Sequence, residues 1–249
     1  MSGNLTVDEI KAWRKASRPE LIARRAAVPE AERKAWDERI TQHLLSAFEV
    51  PAGAVVGFCW PYKGEFDARF AVREWRQQGA LAALPEVVHR QGPLQFSLWW
   101  PGAPMRPGVY DIPVPDGTQI VTPDIAIVPM NAFDAQGYRL GYGGGYFDRT
   151  LAAAERRVLA IGVTYEMLRI ETIHPQGYDI PMDFVVTEAG VYARTGERLE
   201  RVDDAGSRQR AARLMLARRL PRAAYRDGYS SPVCYGNEFP GYFGEDPKA

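Results

Sequence analysis

The sequence predicts an α/β fold, a three-layer, Rossmann-like, mostly parallel sheet with helices on both faces. Apolar runs rich in branched and aromatic residues, which are typical of buried strands, alternate with helical segments up to about residue 195. The chain has 249 residues, 46% of them hydrophobic, which is enough for a sizeable core. Ligands of such sheets bind beyond the carboxyl ends of the strands, so the loops that follow the strands are the candidates for function.

The charges of the chain balance, with 31 Lys plus Arg against 31 Asp plus Glu. We therefore expect neither nucleic acid nor an anionic membrane as a partner. The N-terminal stretch is polar and lacks a signal-peptide core, and no apolar run approaches the roughly 18 residues of a membrane span. Cys59 and Cys234 form neither a metal-type cluster nor a disulfide framework. These observations predict a soluble, cytoplasmic protein.

Residues 7–48 are predicted to form helices, with a new helix starting near Pro29. The second segment has a core-facing stripe at a spacing of four residues, Trp36, Ile40, Leu44 and Phe48. The first segment carries a run of basic residues, which we expect to be mostly solvated, with one or two facing a phosphate: Arg14, Lys15, Arg18, Arg24 and Arg25.

The middle of the chain supplies most of the predicted sheet. A helix is predicted over 66–79, with Phe66 and Phe70 facing inward, and the Pro- and Gly-rich segment 101–117 is predicted to be a loop. Strands are predicted at 54–60, 80–88, 94–100, 124–133, 158–166 and 183–193, the last being one strand or a short pair.

The chain is expected to divide into a domain over 1–195 and an extension over 196–249. The extension begins with a basic amphipathic helix that includes Ala211, Leu214, Leu216 and Leu220. That helix either packs through its leucines or meets an acidic partner. It is followed by an irregular tail rich in aromatic residues, Gly and Pro, for which self-association or a protein contact is a hypothesis.

The most informative stretch is RLGYGGGYFDR, from Arg139 to Arg149. Four of its residues are glycines, which let the backbone approach a ligand closely, and successive N–H groups in such a loop form an anion site when a helix follows. A strand is predicted before it and a helix, TLAAAERR, after it. The stretch is neither a Walker A loop nor a GxGxxG fingerprint. By spacing alone, a phosphate loop and a tightly packed turn are equally good interpretations.

Three acidic residues are candidates for a site. Glu65 follows a predicted strand in WPYKGEFD, where it either is solvated or binds a flat heterocycle covered by the neighbouring aromatic rings. Asp148 follows the glycines and Asp183 begins the last predicted strand region. These two aspartates either hold a hydrated Mg²⁺ beside phosphate or cap a helix and a turn. No histidine metal pattern is present, and Cys59 at a strand end is expected to be a buried, inert thiol.

The glycine stretch resembles the signature of the 5-formyltetrahydrofolate cyclo-ligase family, also called 5,10-methenyltetrahydrofolate synthetases. The family pattern is close to R-L-G-x-G-x-G-Y-Y-D-R. Three other stretches occur in the family's order, namely RKASRPELIARRAAV, WPYKGEFD and DIPMDFVVTE. Together they cover residues 11–193.

The resemblance implies an ATP- and Mg²⁺-dependent ligase that closes 5-formyltetrahydrofolate to 5,10-methenyltetrahydrofolate, releasing ADP and phosphate through a phosphorylated formyl intermediate. It implies catalytic roles for Arg139 and Tyr146. It implies that reduced folate is bound by Trp60, Glu65 and Tyr146, and that Mg²⁺ is bound by Asp148 and Asp183. ATP, as co-substrate, is implied to be bound by Arg14, Lys15, Arg18, Arg139, Leu140, Gly141, Tyr142, Gly143, Gly144, Gly145, Tyr146 and Phe147.

The chain departs from the family pattern at several positions. Arg14 stands where the family has Lys, with Lys15 next to it, and Pro19 after Arg18 predicts a break in the helix. Phe147 replaces the second Tyr of the signature, and the WPYK loop is bulkier than usual. These differences leave two alternatives open: a paralogue with another substrate, and a non-catalytic nucleotide- or folate-binding relative.

Overall fold

The structure is a computed structural model that describes residues 5–217. Leu220 and the predicted irregular tail lie outside the described residues. The helices are α1 (Val7–Ala26), α2 (Glu30–Ala47), α3 (Arg69–Gln77), α4 (Tyr146–Ala153) and α5 (Asp204–Ala217). The strands are β1 (Val55–Gly57), β2 (Leu81–Glu86), β3 (Gln95–Trp99), β4 (Met105–Pro107), β5 (Pro113–Pro115), β6 (Ile120–Val121), β7 (Ile125–Pro129), β8 (Ala132–Phe133), β9 (Arg139–Leu140), β10 (Leu159–Val163), β11 (Phe184–Thr187), β12 (Gly190–Thr195) and β13 (Arg198–Val202).

Within residues 5–217, nine strands form one sheet in the order β13-β12-β11-β10-β7-β1-β2-β3-β6. The strands from β11 to β2 in this order are parallel to one another. Antiparallel strands extend the sheet at both edges. The α/β prediction with a mostly parallel central sheet is therefore confirmed.

The two faces of the sheet bury alternate residues of each strand, as the strand period requires. In β7, Ile125 and Ile127 pack in a cluster with Ile40 of α2 and Trp75 of α3. Ala126 and Val128 belong to a second cluster, which contains Leu151 of α4. Helices thus cover both faces in three layers, as predicted.

Helix α1 begins at a capping box, in which the Glu9 side chain accepts from Thr6 N–H at 2.7 Å and Thr6 Oγ1 accepts from Glu9 N–H at 3.3 Å. The predicted break at Pro19 is wrong, because α1 continues through it to Ala26. An internal proline costs a helix about 3 kcal/mol, yet α1 is continuous, with Arg18 buried before Pro19 and Leu21 buried after it.

The basic run of α1 is not mostly solvated. Arg14, Arg18 and Arg25 are buried, with exposures of 5%, 6% and 1%. Their spacing puts them on one helix face, which packs on the carboxyl-end loops of the sheet rather than on water. Burial of these cations is possible because backbone carbonyl, side-chain amide and carboxylate oxygens from those loops accept their hydrogen bonds.

Two local predictions in the middle of the chain need correction. Phe66 is buried as predicted, but Phe70 is 51% exposed, because α3 begins only at Arg69 and turns its Ala71, Val72 and Trp75 inward. The predicted loop over 101–117 contains the antiparallel pair β4 and β5, with Arg106 opposite Val114.

The sheet also continues across the boundary predicted at residue 195. β13 pairs with β12 along five residues, from Val202 opposite Val191 to Arg198 opposite Thr195. Helix α5 packs on the same cluster as α2 through buried Ala211 and half-buried Leu214, whereas Leu216 is 71% exposed. Packing through its apolar residues, one of the two interpretations of the basic helix, is therefore what α5 does.

Candidate active site

A cavity of about 220 Å³ opens where β1, β2 and β7 end, at the carboxyl edge of the sheet. This is the edge at which parallel α/β sheets bind ligands. The structure gathers most of the residues predicted for a site around this one cavity: Arg14, Arg18, Trp60, Glu65, Arg139, Leu140, Gly141, Tyr142, Gly143, Gly144, Gly145, Tyr146, Phe147 and Asp148. Lys15 and Asp183 do not line it.

The glycine loop follows the hairpin of β8 and β9, which lies between the loop and strand β7. Gly143 and Gly145 have φ values of 98° and 63°, in the left-handed region that favours glycine. Helix α4 then begins at Tyr146, four residues before the predicted TLAAAERR segment. The loop therefore passes directly into a helix N-terminus, the arrangement that binds anions.

Three arginines hold the loop in place from different directions. Arg18 Nε donates to the Gly141 carbonyl at 2.8 Å, and Arg149 Nη2 donates to the Gly144 carbonyl at 2.7 Å. Arg139 Nη2 lies 2.9 Å from Asp148 Oδ1. The Arg149 guanidinium also lies 5.0 Å from the centre of the Tyr146 ring. A high density of positive charge thus surrounds the loop backbone.

Arg14 joins α1 to the segment over 171–183. Its Nη2 lies 2.5 Å from Asp179 Oδ2, and its Nε donates to the Ile173 carbonyl at 3.0 Å. Lys15 is exposed at the next helical position, so the structure brings Arg14 rather than Lys15 to the cavity.

Glu65 is buried, with an exposure of 8%, instead of being solvated. Its Oε1 accepts from the Tyr142 hydroxyl at 2.8 Å, and its Oε2 accepts from Tyr62 N–H at 3.0 Å. Arg25 Nη2 lies 3.9 Å from Oε1. Burial raises the pKa of Glu65 above its ordinary value, while Arg25 and the two hydrogen bonds act in the opposite direction.

An aromatic and aliphatic wall forms the side of the cavity next to Glu65. The Trp60 indole N–H donates to the Pro113 carbonyl at 2.7 Å, and its ring packs edge-on against Trp99 with centroids 5.5 Å apart. Ile112 and Val114, from the hairpin that the sequence predicted as loop, line the same side. A flat, partly apolar ligand fits such a wall.

The two aspartates predicted to bind metal lie apart. Asp148 lines the cavity, where its Oδ1 also accepts from Ile180 N–H at 3.0 Å. Asp183 lies just before β11, at the amino end of the parallel strands, where it pairs with Arg157 and accepts from Ala160 N–H at 3.0 Å. The structure therefore does not bring Asp183 to the ion position expected for it.

The acidic groups near the cavity decide whether a magnesium ion fits there. Residues 5–217 contain no group of three or more His, Cys, Asp or Glu residues that could hold a metal ion. Mg²⁺ usually keeps several waters and binds through one or two carboxylates plus substrate phosphates, so Asp148, which lines the cavity beside the glycine loop, fits that mode. Cys59 also lines the cavity, but burial raises the pKa of its thiol, which fits the expected inert thiol.

Two residues of this region, Asp179 and the buried Arg25, were missed by the sequence interpretation. Asp179 belongs to the same DIPMD stretch as Asp183 and lines the cavity, so the motif located the right segment but the other aspartate. Arg25 was assigned to solvent because nothing local distinguishes it from Arg24. Arg18 and Arg25 are seven residues apart, which is about two helical turns, and this spacing was the available signal that they share a face.

The fold and the site define a class of protein, an α/β enzyme in which a glycine loop at a helix N-terminus and an aromatic wall open on one cavity. No helix within residues 5–217 is both long and apolar enough to cross a membrane.

The chain belongs to the 5-formyltetrahydrofolate cyclo-ligase family, whose model matches residues 10–188. It is 28% identical over 177 residues to the 5-formyltetrahydrofolate cyclo-ligase of Haemophilus influenzae, covering 68% of this chain and 94% of that protein. It is 29% identical over 177 residues to the enzyme of that name from Escherichia coli (strain K12), covering 68% and 96%. The solved structure of Aquifex aeolicus 5,10-methenyltetrahydrofolate synthetase matches with a TM-score of 0.64 at 31% identity, covering 75% of this chain and 96% of that one. The resemblance of the glycine signature is thus confirmed, and the chain is an enzyme of the ligase class.

Proposed function

We propose that this chain catalyses the ATP-dependent cyclisation of 5-formyltetrahydrofolate to 5,10-methenyltetrahydrofolate, with release of ADP and phosphate. The observation that carries the proposal is that the glycine loop and Glu65 line the same cavity. Transfer of a phosphoryl group to the formyl oxygen requires the two substrates to meet at about 3 Å, which a shared cavity allows.

The nucleotide phosphates are assigned to the glycine loop. The backbone N–H groups of Gly143 to Gly145, the N-terminus of α4 and the guanidinium groups of Arg14, Arg18 and Arg139 supply positive charge there. Phosphoryl transfer depends on positioning and charge neutralisation more than on covalent help. Because these guanidinium groups are already fixed by carbonyl and carboxylate partners, they need little reorganisation when the transition state forms.

The reduced folate is assigned to the side of Glu65 and Trp60. An ionised, buried carboxylate accepts hydrogen bonds from the N–H groups of the pterin ring, and the ring faces pack on the aromatic wall. Tyr146 lines the cavity at the start of α4, with Arg149 over its ring, and we assign it the position between the pterin and the phosphates.

The proposed reaction proceeds in two steps. The formyl oxygen attacks the γ-phosphorus of ATP, the bond from that phosphorus to the β–γ bridging oxygen breaks, and ADP leaves. N10 next attacks the activated formyl carbon, the carbon–oxygen bond breaks, phosphate leaves and the N10 proton is lost. Arg139 and Tyr146 would stabilise the charge that develops on the transferred group. Mg²⁺ bound with the nucleotide, with Asp148 as its protein ligand, would neutralise phosphate charge.

The proposal is tested with the purified full-length chain, 5-formyltetrahydrofolate, ATP and Mg²⁺, by following the rising absorbance of the methenyl product. Product should form only when ATP is present, in a one-to-one ratio with ADP. Arg139→Ala should abolish most of the turnover, while the control Arg73→Ala, an exposed arginine away from this cavity, should not. The absence of product at saturating ATP overturns the proposal. Binding of nucleotide or folate without turnover would then support the alternatives, a paralogue with another substrate or a non-catalytic relative.

A further inference from the structure

Arg25 does not line the cavity, yet it is the most deeply buried arginine of α1, with an exposure of 1%. Its guanidinium contacts three segments that are distant in sequence. Nε donates to the Lys63 carbonyl at 3.1 Å, Nη1 donates to Asn131 Oδ1 at 3.0 Å, and Nη2 donates to the Tyr142 hydroxyl at 2.9 Å. These are the loop after β1, the turn after β7 and the glycine loop.

The Tyr142 hydroxyl lies between Arg25 and Glu65. It accepts from Arg25 Nη2 and donates to Glu65 Oε1 at 2.8 Å. A guanidinium can only donate hydrogen bonds, and a phenol has a single proton to donate. Arg25 therefore donates to the Tyr142 hydroxyl, and that hydroxyl donates to the Glu65 carboxylate. The glycine loop is thus hydrogen-bonded directly to the Glu65 carboxylate, which lines the same cavity.

We propose that the Tyr142 hydroxyl couples the two substrate sites, so that nucleotide bound at the glycine loop strengthens folate binding at Glu65, with Arg25 as the positioning residue. The inference rests on the proposed function, because it takes the loop as the nucleotide side and Glu65 as the folate side. Phosphate binding orders the loop backbone and with it Tyr142, which then holds the Glu65 carboxylate in a single orientation.

Such a link is reciprocal by thermodynamic necessity: folate must strengthen nucleotide binding by the same factor. A coupling of about tenfold is expected, within the usual range for two linked sites. The same hydrogen bonds give the buried arginine at position 25 a role in this link. Without it, the Tyr142 hydroxyl would lose the donor that fixes its orientation toward Glu65.

The experiment measures dissociation constants by calorimetry on the full-length chain. 5-Formyltetrahydrofolate is titrated without and with a saturating non-hydrolysable ATP analogue and Mg²⁺, which prevents turnover. In the unaltered protein the nucleotide should lower the folate dissociation constant about tenfold. The coupling ratio is the folate dissociation constant without nucleotide divided by the constant with nucleotide. In Tyr142→Phe this ratio should fall to near one, while the affinity for the nucleotide alone stays within about threefold of that of the unaltered protein.

Tyr165→Phe is the matched control, because the Tyr165 hydroxyl also donates to a carboxylate, Asp37 Oδ1 at 2.7 Å, and Tyr165 does not line the cavity. It should keep the full coupling ratio. Arg25→Lys, a second variant, keeps the charge but not the planar fork that reaches three segments, so its ratio should also fall. A purely structural role for Tyr142 or Arg25 would lower the melting temperature without changing this ratio.

The outcomes separate this inference from the proposed function. An unchanged ratio in Tyr142→Phe overturns the coupling. Independent binding of the two ligands to the unaltered protein also overturns it and leaves the proposed function intact. If the unaltered protein binds neither ligand, the proposed function fails, and the coupling inference fails with it.

Discussion

The guanidinium of Arg139 lies 2.9 Å from the Asp148 carboxylate, so the residues at the two ends of the glycine loop are paired. Both also bind the peptide of Ile180: Arg139 Nη1 donates to its carbonyl at 2.7 Å, and Asp148 Oδ1 accepts from its N–H at 3.0 Å. The loop is therefore anchored at its beginning and its end. A fixed set of N–H donors is what stabilises developing charge in a transition state.

Asp148→Asn should lower kcat about 100-fold, the loss typical when one group of a preorganised electrostatic site is removed. The amide oxygen of Asn can still accept from Ile180 N–H, so the fold should be kept. The variant loses the negative charge of the carboxylate that is proposed to bind Mg²⁺. Turnover measured over a range of Mg²⁺ concentrations should show a higher requirement for the metal. A thermal melt checks that the variant is folded.

Asp183→Asn is the comparison for that variant. Asp183 pairs with Arg157 and accepts from Ala160 N–H away from the cavity. Its loss should therefore lower the melting temperature and change kcat little. If Asp183→Asn changed the Mg²⁺ requirement as much as Asp148→Asn, the assignment of the metal to Asp148 alone would be wrong.

Gly144→Ala should lower kcat/KM about 10- to 100-fold, because it displaces the Tyr146 ring. A Cβ at position 144 would lie 2.5 Å from that ring, which is too close for any real contact. Gly177→Ala is the matched control, since Gly177 is exposed and a Cβ there meets nothing within 4 Å. Steady-state kinetics of the two variants should differ. Equal activity would mean that the position of Tyr146 does not matter for turnover.

Glu65→Gln should raise the dissociation constant of the folate about tenfold, the size expected when a charged hydrogen-bond partner is lost. The affinity for a non-hydrolysable ATP analogue in the absence of folate should stay nearly the same. An equal loss of both affinities would show that the folate assignment of this loop is wrong.

The same group predicts a pH dependence of folate binding. Burial raises the pKa of Glu65, so its carboxylate takes up a proton at a higher pH than an exposed Glu does. If the ionised form binds the pterin, folate affinity of the unaltered protein should fall as the pH drops through that raised pKa. Glu65→Gln should lack this acid limb when affinity is measured as a function of pH.

The partly buried carboxyl of Asp37 should make the stability of the folded protein depend on pH, whatever reaction the protein catalyses. Burial raises its pKa from 3.8 to about 6, with Asp67 adding to the shift and the Tyr165 hydrogen bond and Arg33 opposing it. The folded state therefore binds this proton more tightly than the unfolded state. The stabilising contribution is complete below pH 3.8 and is lost as the pH rises through about 6.

Asp37→Asn keeps an acceptor for the Tyr165 hydroxyl but does not titrate. Over this acidic range, the melting temperature of the unaltered protein should fall with rising pH relative to that of Asp37→Asn. Parallel melting curves at all pH values would contradict the raised pKa of Asp37.

Much of the fold was predictable because its signals are local. Apolar runs such as 124–133 and 158–166 mark central strands, and β7 and β10 lie within them. The glycine loop was also predictable, because its chemistry is contained in eleven consecutive residues from Arg139 to Arg149. Strand lengths were overestimated at 54–60, where β1 has only three residues, because apolar loop residues continue the pattern.

The sequence by itself determined the α/β class, the glycine loop and the family to which the chain belongs. Only the tertiary structure decided which charges are buried and paired. Arg14 meets Asp179 at a separation of 165 residues, and Arg25 meets Tyr142 at a separation of 117. A charged residue is buried only where a distant segment brings it a partner, because an unpaired buried charge is too costly. That partner is a property of the packed chain and leaves no mark in the local sequence pattern.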